Sequence, residues 1–559
     1  MMEMRKEKKS AMAVVVGMGV IASIISGCGT AAPKQSSTGA TNASSASDAS
    51  IDKNATIQID EADDFAHLDP ALAYDYGSDE AVYQFYDQLV TYATNSTKIV
   101  PDLASSWTVS KDGLKYTFHI RKGVTFWNGD PVTAQSFIDE FQRVLNPKVA
   151  SPGEGFIDPI LQGSTAYFKG QAKSISGLSA PDPYTLEITL TKPQAYFLEV
   201  LAMPFFSAVD QSYIDKIGNT QFDHHPMGTG AFEMKSYKMG NEMVMTKNPN
   251  YFKKGEPKVQ EVGISINKNE QLSALKFQQG QESFLGWNQD IASQAFISMK
   301  NNPKFKNDFQ SEKLVATYYL ALNSKPTGPI QNKLVRQAIN MAIDKQRLVS
   351  LQNGRAAAAN QILPPAMPGY ETKLPSDVDY QYNPTKAKQL LKEAGYPNGF
   401  STSLMCPSDQ TTRSLVQSIQ EDLQKIGIKV SIHPIASASY EADAESMKYP
   451  MVYTAWFQDF PDPSDFLNTL LNGNEIPLNN WSNYNNQTVN QELAQAAVMP
   501  QGQARLDLYD KIQNQILADA PWVPLFTPIR YAVVQPYVKG FSMSPVLMDP
   551  LQNVYVVKH

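Results

Sequence analysis

The sequence predicts a mixed α/β protein of two or three domains, and three observations carry that reading. A chain of 559 residues is longer than one hydrophobic core organises. The stretch LKYTFHIR alternates, with Leu114, Tyr116, Phe118 and Ile120 on one face and Lys115, Thr117, His119 and Arg121 on the other, which is the period of a half-buried strand. SLVQSIQEDLQKIGIKVSI then runs helix, Gly427, strand, an α/β unit.

The N-terminus reads as an export signal. MRKEKKS supplies positive charge, AMAVVVGMGVIASII an apolar stretch, and Ile25-Ser26-Gly27-Cys28 follows. That ending resembles the bacterial lipobox, in which the cysteine is acylated and becomes the mature N-terminus. Residues 1–27 are therefore expected to be a lipoprotein signal peptide, with Cys28 lipidated. Residues 28–54, rich in Ser, Ala and Thr without an aromatic, cannot bury enough surface to offset ordering entropy and are expected to form a flexible tether.

Asp112-Gly113 turns the chain into the alternating strand, and YTLEITL repeats its pattern with Tyr184, Leu186, Ile188 and Leu190 inward. NPTKAKQLLKEAGYP predicts a helix: Asn383 caps it, Pro384 opens it, Ala387, Leu390, Leu391 and Ala394 form its apolar stripe, and Gly395 stops it. Cys406, the second of two cysteines, is expected to be a small buried hydrophobe.

Several functions are excluded or disfavoured. A net charge of −7 with no basic run beyond the signal argues against nucleic acid. Beyond the signal, no apolar segment is long enough to span a membrane. There is no phosphate-binding Gly-rich lysine loop, no G-x-S-x-G elbow and no H-E-x-x-H pair. His224-His225 reads as a solvated turn, since adjacent residues point apart. No enzyme, metal or cofactor is expected.

WFQDFPDPSDFLN, residues 456–468, sets three carboxylates among aromatics and prolines. Pro461 and Pro463 forbid one continuous helix. Asp462 fits an N-cap, with Pro463 at the first helical position and Asp465 at the third as a charged capping arrangement. Asp459 precedes the cap and has no such structural account.

From Leu68 onward, ordered blocks carry a resemblance: LDPA (68–71), LASSWTVSKDGLKYTFHIRKGVTFWNGDPVTAQSF (103–137), MGTGAF (227–232), KNPNYFKKGEP (247–257), VRQAINMAID (335–344), NPTKAKQLLKEAGYPNGF (383–400) and the closing VYVVKH. Together these look like the family 5 extracytoplasmic solute-binding proteins of peptide ABC importers, the oligopeptide-binding type. The resemblance implies a two-lobed clamp of three domains, hinged between the lobes. Domain I would combine 55–86, 209–314 and 527–559, domain II would be 87–208, and domain III 315–526.

It further implies a monomeric, lipid-anchored receptor on the extracytoplasmic face of a bacterial cell membrane; a lipobox fits either bacterial envelope type, and the acyl tether favours a Gram-positive host, where a soluble receptor would diffuse away. The receptor would deliver oligopeptides to permease subunits driven by separate ATPases. The family's Trp-x-x-Asp-aromatic motif falls on Trp456, Asp459 and Phe460, which makes Asp459 the partner of the ligand's α-ammonium. Main-chain edges for the peptide would come from Ala455 and Phe457 and from Tyr74-Asp75-Tyr76, with Tyr440, Trp287 and Asn288 as further pocket residues. Basic positions that hold the ligand's carboxylate in enteric relatives fall here on Tyr453, Ala444 and Glu445, which implies a loosely held C-terminal end and longer ligands. The same clamp could instead serve a nickel chelate, haem or an oligosaccharide. A sensing or adhesive lipoprotein is a second class, and an exported peptide hydrolase a third.

Overall fold

The computed structural model describes residues 51–288, 290–325, 328–546 and 548–558. The signal segment, Cys28 and the tether up to residue 50 lie outside the described residues.

The alternating stretch forms the strand Lys115–Ile120, with Tyr116, Phe118 and Ile120 buried and Lys115 and His119 exposed. It pairs antiparallel with Ala104–Val109 on one side and Thr185–Thr189 on the other, and Leu178–Asp182 completes this four-stranded sheet. Helix Ala134–Val144 buries Phe137 and Phe141 in the same core.

A second four-stranded sheet runs in the order Thr56–Glu61, Glu261–Ile266, Glu242–Lys247, Phe232–Lys238. Its first pair is parallel and the others antiparallel.

The largest sheet holds eight strands, six of them in the order Phe284–Leu285, Trp522–Val534, Ala316–Leu322, Met451–Phe457, Phe400–Pro407, Ile428–Ile435. Its parallel part is the predicted α/β unit: helix Gln410–Lys425 crosses from strand Phe400–Pro407 to strand Ile428–Ile435, turning at Gly427 with φ +90°. Helix Pro384–Glu393 starts as predicted, the Asn383 side chain accepting from the Lys386 N–H at 2.9 Å. Cys406 is buried in this part of the chain, and burial pushes its thiol up to about 11.

Buried apolar side chains follow the chain. One core draws almost wholly on residues 71–208, a second on 55–86, 209–287 and the C-terminal segment, and two more cover opposite faces of the large sheet. The long strand Trp522–Val534 enters both halves: Val523, Leu525 and Phe526 belong to a large-sheet core, whereas Ala532 and Val534 lie in the second.

Candidate binding site at the open sheet edge

The site is built on a strand that loses a neighbour. Met451–Phe457 pairs along its whole length with Ala316–Leu322, but with Phe400–Pro407 only at Met451 and Val452. The latter strand continues beside Ile428–Ile435 as far as Pro407. A crevice therefore opens at the carboxyl ends of two parallel strands, the place where open α/β sheets bind ligands.

Which residues face that crevice follows from the ladder. The Gln458 N–H donates to Val315 O at 3.0 Å, and the Asn323 N–H donates to Pro450 O at 2.9 Å. Antiparallel pairing turns the main-chain groups of alternate residues to opposite sides. Thr454 and Trp456 thus face their paired strand, while Tyr453, Ala455 and Phe457 face outward. The Tyr440 hydroxyl donates to the Tyr453 carbonyl, which leaves Ala455 and Phe457 as the edge without a strand among the described residues.

Beyond this edge the chain turns through Asp459. The Tyr74 hydroxyl donates to Asp459 Oδ1 at 2.7 Å. Phe460 leaves its own lobe and stacks on Tyr196, ring centroids 4.8 Å apart, with Phe156 edge-on. The Gln501 amide donates to Ala195 O at 3.1 Å. The loop that carries Asp459 thus packs against the core drawn from residues 71–208.

The neighbouring acids have separate tasks. Asp462 is the N-cap of helix Pro463–Leu471, accepting from the Ser464 N–H at 2.9 Å, and it takes Arg505 in two bonds of 2.6 and 2.8 Å. The expected charged capping arrangement at Asp465 needs correction. Its Oδ2 turns back to accept from Trp456 Nε1 and from the Asp459 N–H, each at 3.1 Å. Asp465 is 1% exposed, and burial, then the charge of Asp459, pushes its carboxyl well above the usual range.

Other expectations change as well. Of Tyr74-Asp75-Tyr76, Asp75 is extended and caps a helix that begins at Tyr76, accepting from the Ser78 N–H at 3.0 Å. Tyr76 instead uses its hydroxyl to accept from Arg530 Nη1 at 3.2 Å. Tyr440 and Trp287 are core residues, 2% and 1% exposed, packed under the large sheet and in the second core. Asn288 is half-buried and bonds Glu61 beside Gly77.

Tyr74, Tyr76, Asp79, Asp290 and Tyr318 share a different property. Each keeps accessible surface, yet protein surrounds it on nearly every side. Two of these residues touch the site directly: Tyr318 packs edge-on to Phe457 at 6.1 Å, and Tyr74 bonds Asp459. A separate open cavity of about 730 Å³, lined by His119, Arg121, Lys122, Tyr184 and Phe252 among others, shares no residue with this site.

Comparison with known proteins decides the family. Residues 98–477 match the model described as bacterial extracellular solute-binding proteins, family 5 Middle. The chain is a family 5 solute-binding protein. This binding protein is 32% identical to heme-binding protein A of Haemophilus influenzae over 85% of its own length and 87% of the relative's. It is 28% identical to the glutathione-binding protein GsiB of Salmonella choleraesuis, over 86% and 90% of the two chains. The Helicobacter pylori protein DppA, solved in complex with the peptide STSA, superposes with a TM-score of 0.73 at 29% identity, covering 90% of this chain and 98% of that one. The two-lobed architecture of ABC-importer binding proteins, expected from the sequence, is therefore its fold. Among the described residues no helix is long and apolar enough to cross a membrane.

Proposed function

We propose that this binding protein captures oligopeptides, holding the α-ammonium group at Asp459 and the peptide main chain along Ala455 and Phe457. One observation carries the reading: a carboxylate stands at the end of an open sheet edge, at the seam between lobes. An edge of this kind recognises a peptide by main-chain hydrogen bonds whatever its side chains. An ammonium group offers a carboxylate three donors. Tyr453 and Ala444 are buried and uncharged, which supports a loosely held C-terminal end. The capturing lobes would correspond to the three-domain division set out above, anchored by an acylated Cys28 and serving a permease with separate ATPases.

The test is calorimetric titration of the full chain with a mixed-sequence pentapeptide and its N-acetylated twin, repeated on Asp459→Asn. Losing one partner of a buried charge pair costs about 2–5 kcal/mol, roughly 30- to 3,000-fold in affinity. Acetylation and the substitution should each weaken binding on that scale, and together no more than either alone. Tight binding of haem, or of glutathione but no longer peptide, with no response to acetylation would overturn the peptide reading while leaving the clamp intact.

A further inference from the structure

We propose that the open cavity at the end of strand Lys115–Ile120 is a second binding site, for a small phosphate monoester that carries hydroxyl groups. Arg121 and Lys122 would hold the phosphate, and Asp182 the hydroxyls.

The cavity, about 730 Å³, is of a size that takes a small molecule. His119, Arg121 and Lys122 line it at the end of the strand, Asp182 and Tyr184 from the neighbouring hairpin, and Phe252 from a separate loop. Phe252 packs against both the core drawn from residues 71–208 and the second core. The cavity therefore lies where those two cores adjoin.

Its two cations are held in place without being neutralised. The Arg121 N–H donates to Leu103 O and the Ile120 N–H to Tyr184 O, each at 2.8 Å, which sets the main chain. Arg121 Nε donates to the Asp102 carbonyl at 2.6 Å, and the guanidinium lies over Phe252, 5.8 Å from the ring centre. That bond uses Nε alone, and neither Nη atom has a partner among the described residues. The Asp102 carboxylate is occupied by Lys253 at 2.7 Å. Lys122 Nζ lies over the Tyr184 ring at 5.3 Å and pairs with no carboxylate among the described residues.

A fixed guanidinium with open Nη atoms matches the oxygens of a phosphate or carboxylate in two parallel bonds. Charge favours the phosphate. A monoester carries about −1.5 to −2 at neutral pH, which suits two cations better than a single carboxylate does. Asp182 then sets what accompanies the phosphate. It accepts from the N–H of Tyr184, the residue whose ring Lys122 covers, at 2.8 Å. That bond, then one from the Thr185 side chain, holds its carboxyl below the usual range. An ionised acid beside an anion site repels a bare phosphate and accepts from hydroxyls attached to one.

The experiment titrates the full chain by calorimetry with glycerol 3-phosphate and with inorganic phosphate. Glycerol 3-phosphate should bind about threefold tighter or more. Lys122→Gln should weaken both about three- to tenfold, and Arg121→Gln about tenfold or more. Lys122 is exposed, so its variant tests the site without disturbing the fold. Asp182→Asn should tighten inorganic phosphate and erase the difference between the two ligands. Binding of neither ligand, or affinities unchanged in Arg121→Gln and Lys122→Gln, overturns the inference. Equal or tighter binding of inorganic phosphate by the unaltered chain overturns the role of Asp182. Displacement of glycerol 3-phosphate by phosphatidylglycerol vesicles, which present a singly charged diester, would overturn the monoester assignment.

Discussion

The phenol of Tyr74 and the carboxylate of Asp459 lie 2.7 Å apart, although 385 positions separate them in the chain. Burial and the nearby Asp459 charge push the phenol well above its ordinary range, so it stays a neutral donor. Tyr74 is itself wedged between Phe156 and Phe205. The bond therefore ties the acid-bearing loop to the opposite side of the seam.

Tyr74→Phe tests whether this bond assists capture. Hydrogen bonds to a charged group contribute about 1.5–3 kcal/mol, part of which is regained when ligand donors replace the phenol. Peptide affinity should fall roughly three- to tenfold, with the preference for a free amino group over an acetylated one retained. Tighter binding in Tyr74→Phe would mean that the phenol competes with the ligand for Asp459.

Asp465 should behave as a neutral acceptor. Burial, then the charge of Asp459, pushes its carboxyl well above the usual range, and its Oδ2 accepts from two N–H groups. Asp465→Asn keeps an acceptor oxygen without a charge and should change little. Asp465→Ala leaves both donors unpaired, costing about 2–4 kcal/mol of stability and loosening the loop that carries Asp459. Thermal unfolding of the two variants separates the cases, and equal destabilisation by Asn and Ala would show that the ionised form matters.

Much of the fold was legible because its signals are local. Asn383, Pro384 and Gly395 mark a helix within a dozen residues, and the alternation in Lys115–Ile120 marks a strand by itself. Asp462 was readable as a cap for the same reason. Ala455 and Phe457 came from the family resemblance, and the ladder supplied the physical account: their main-chain groups face away from Ala316–Leu322. Side-chain destinations were harder. An aromatic such as Tyr440 or Trp287 suits a pocket or a core equally well, and only the packing of sheet against helix decides between them. Asp465 looks like an ordinary first-turn acid until the loop folds back onto it.

The open edge makes a prediction that a side-chain pocket would not. Proline at position 455 removes an N–H that faces the crevice, whereas proline at 454 removes one that the ladder to Ala316–Leu322 uses. Ala455→Pro should cost peptide affinity about tenfold, one hydrogen bond to the ligand, with only a small fall in melting temperature. Thr454→Pro should lower the melting temperature far more. Similar losses of stability in both variants would place the Ala455 N–H within the fold's own ladder.

Lys345 offers a pH signature distant from the site. It is 7% exposed, its amine donates to Ala359 O at 2.9 Å and to Asn360 Oδ1 at 2.8 Å, and burial pulls its pKa down to about 7. A neutral amine still has two protons to give, so both bonds survive deprotonation. The unfolded chain holds its proton up to about 10.4, and between these values it binds more protons than the folded one. Stability from this group therefore rises as pH climbs from about 7 towards 10, by about 2–4 kcal/mol. Lys345→Met removes the titrating group and should flatten that part of the stability curve, while leaving two carbonyl acceptors unpaired and lowering stability at the alkaline end. Denaturant titrations at pH 7 and pH 9.5 on both proteins provide the check. A slope of the same sign and size in Lys345→Met would assign the effect to other groups.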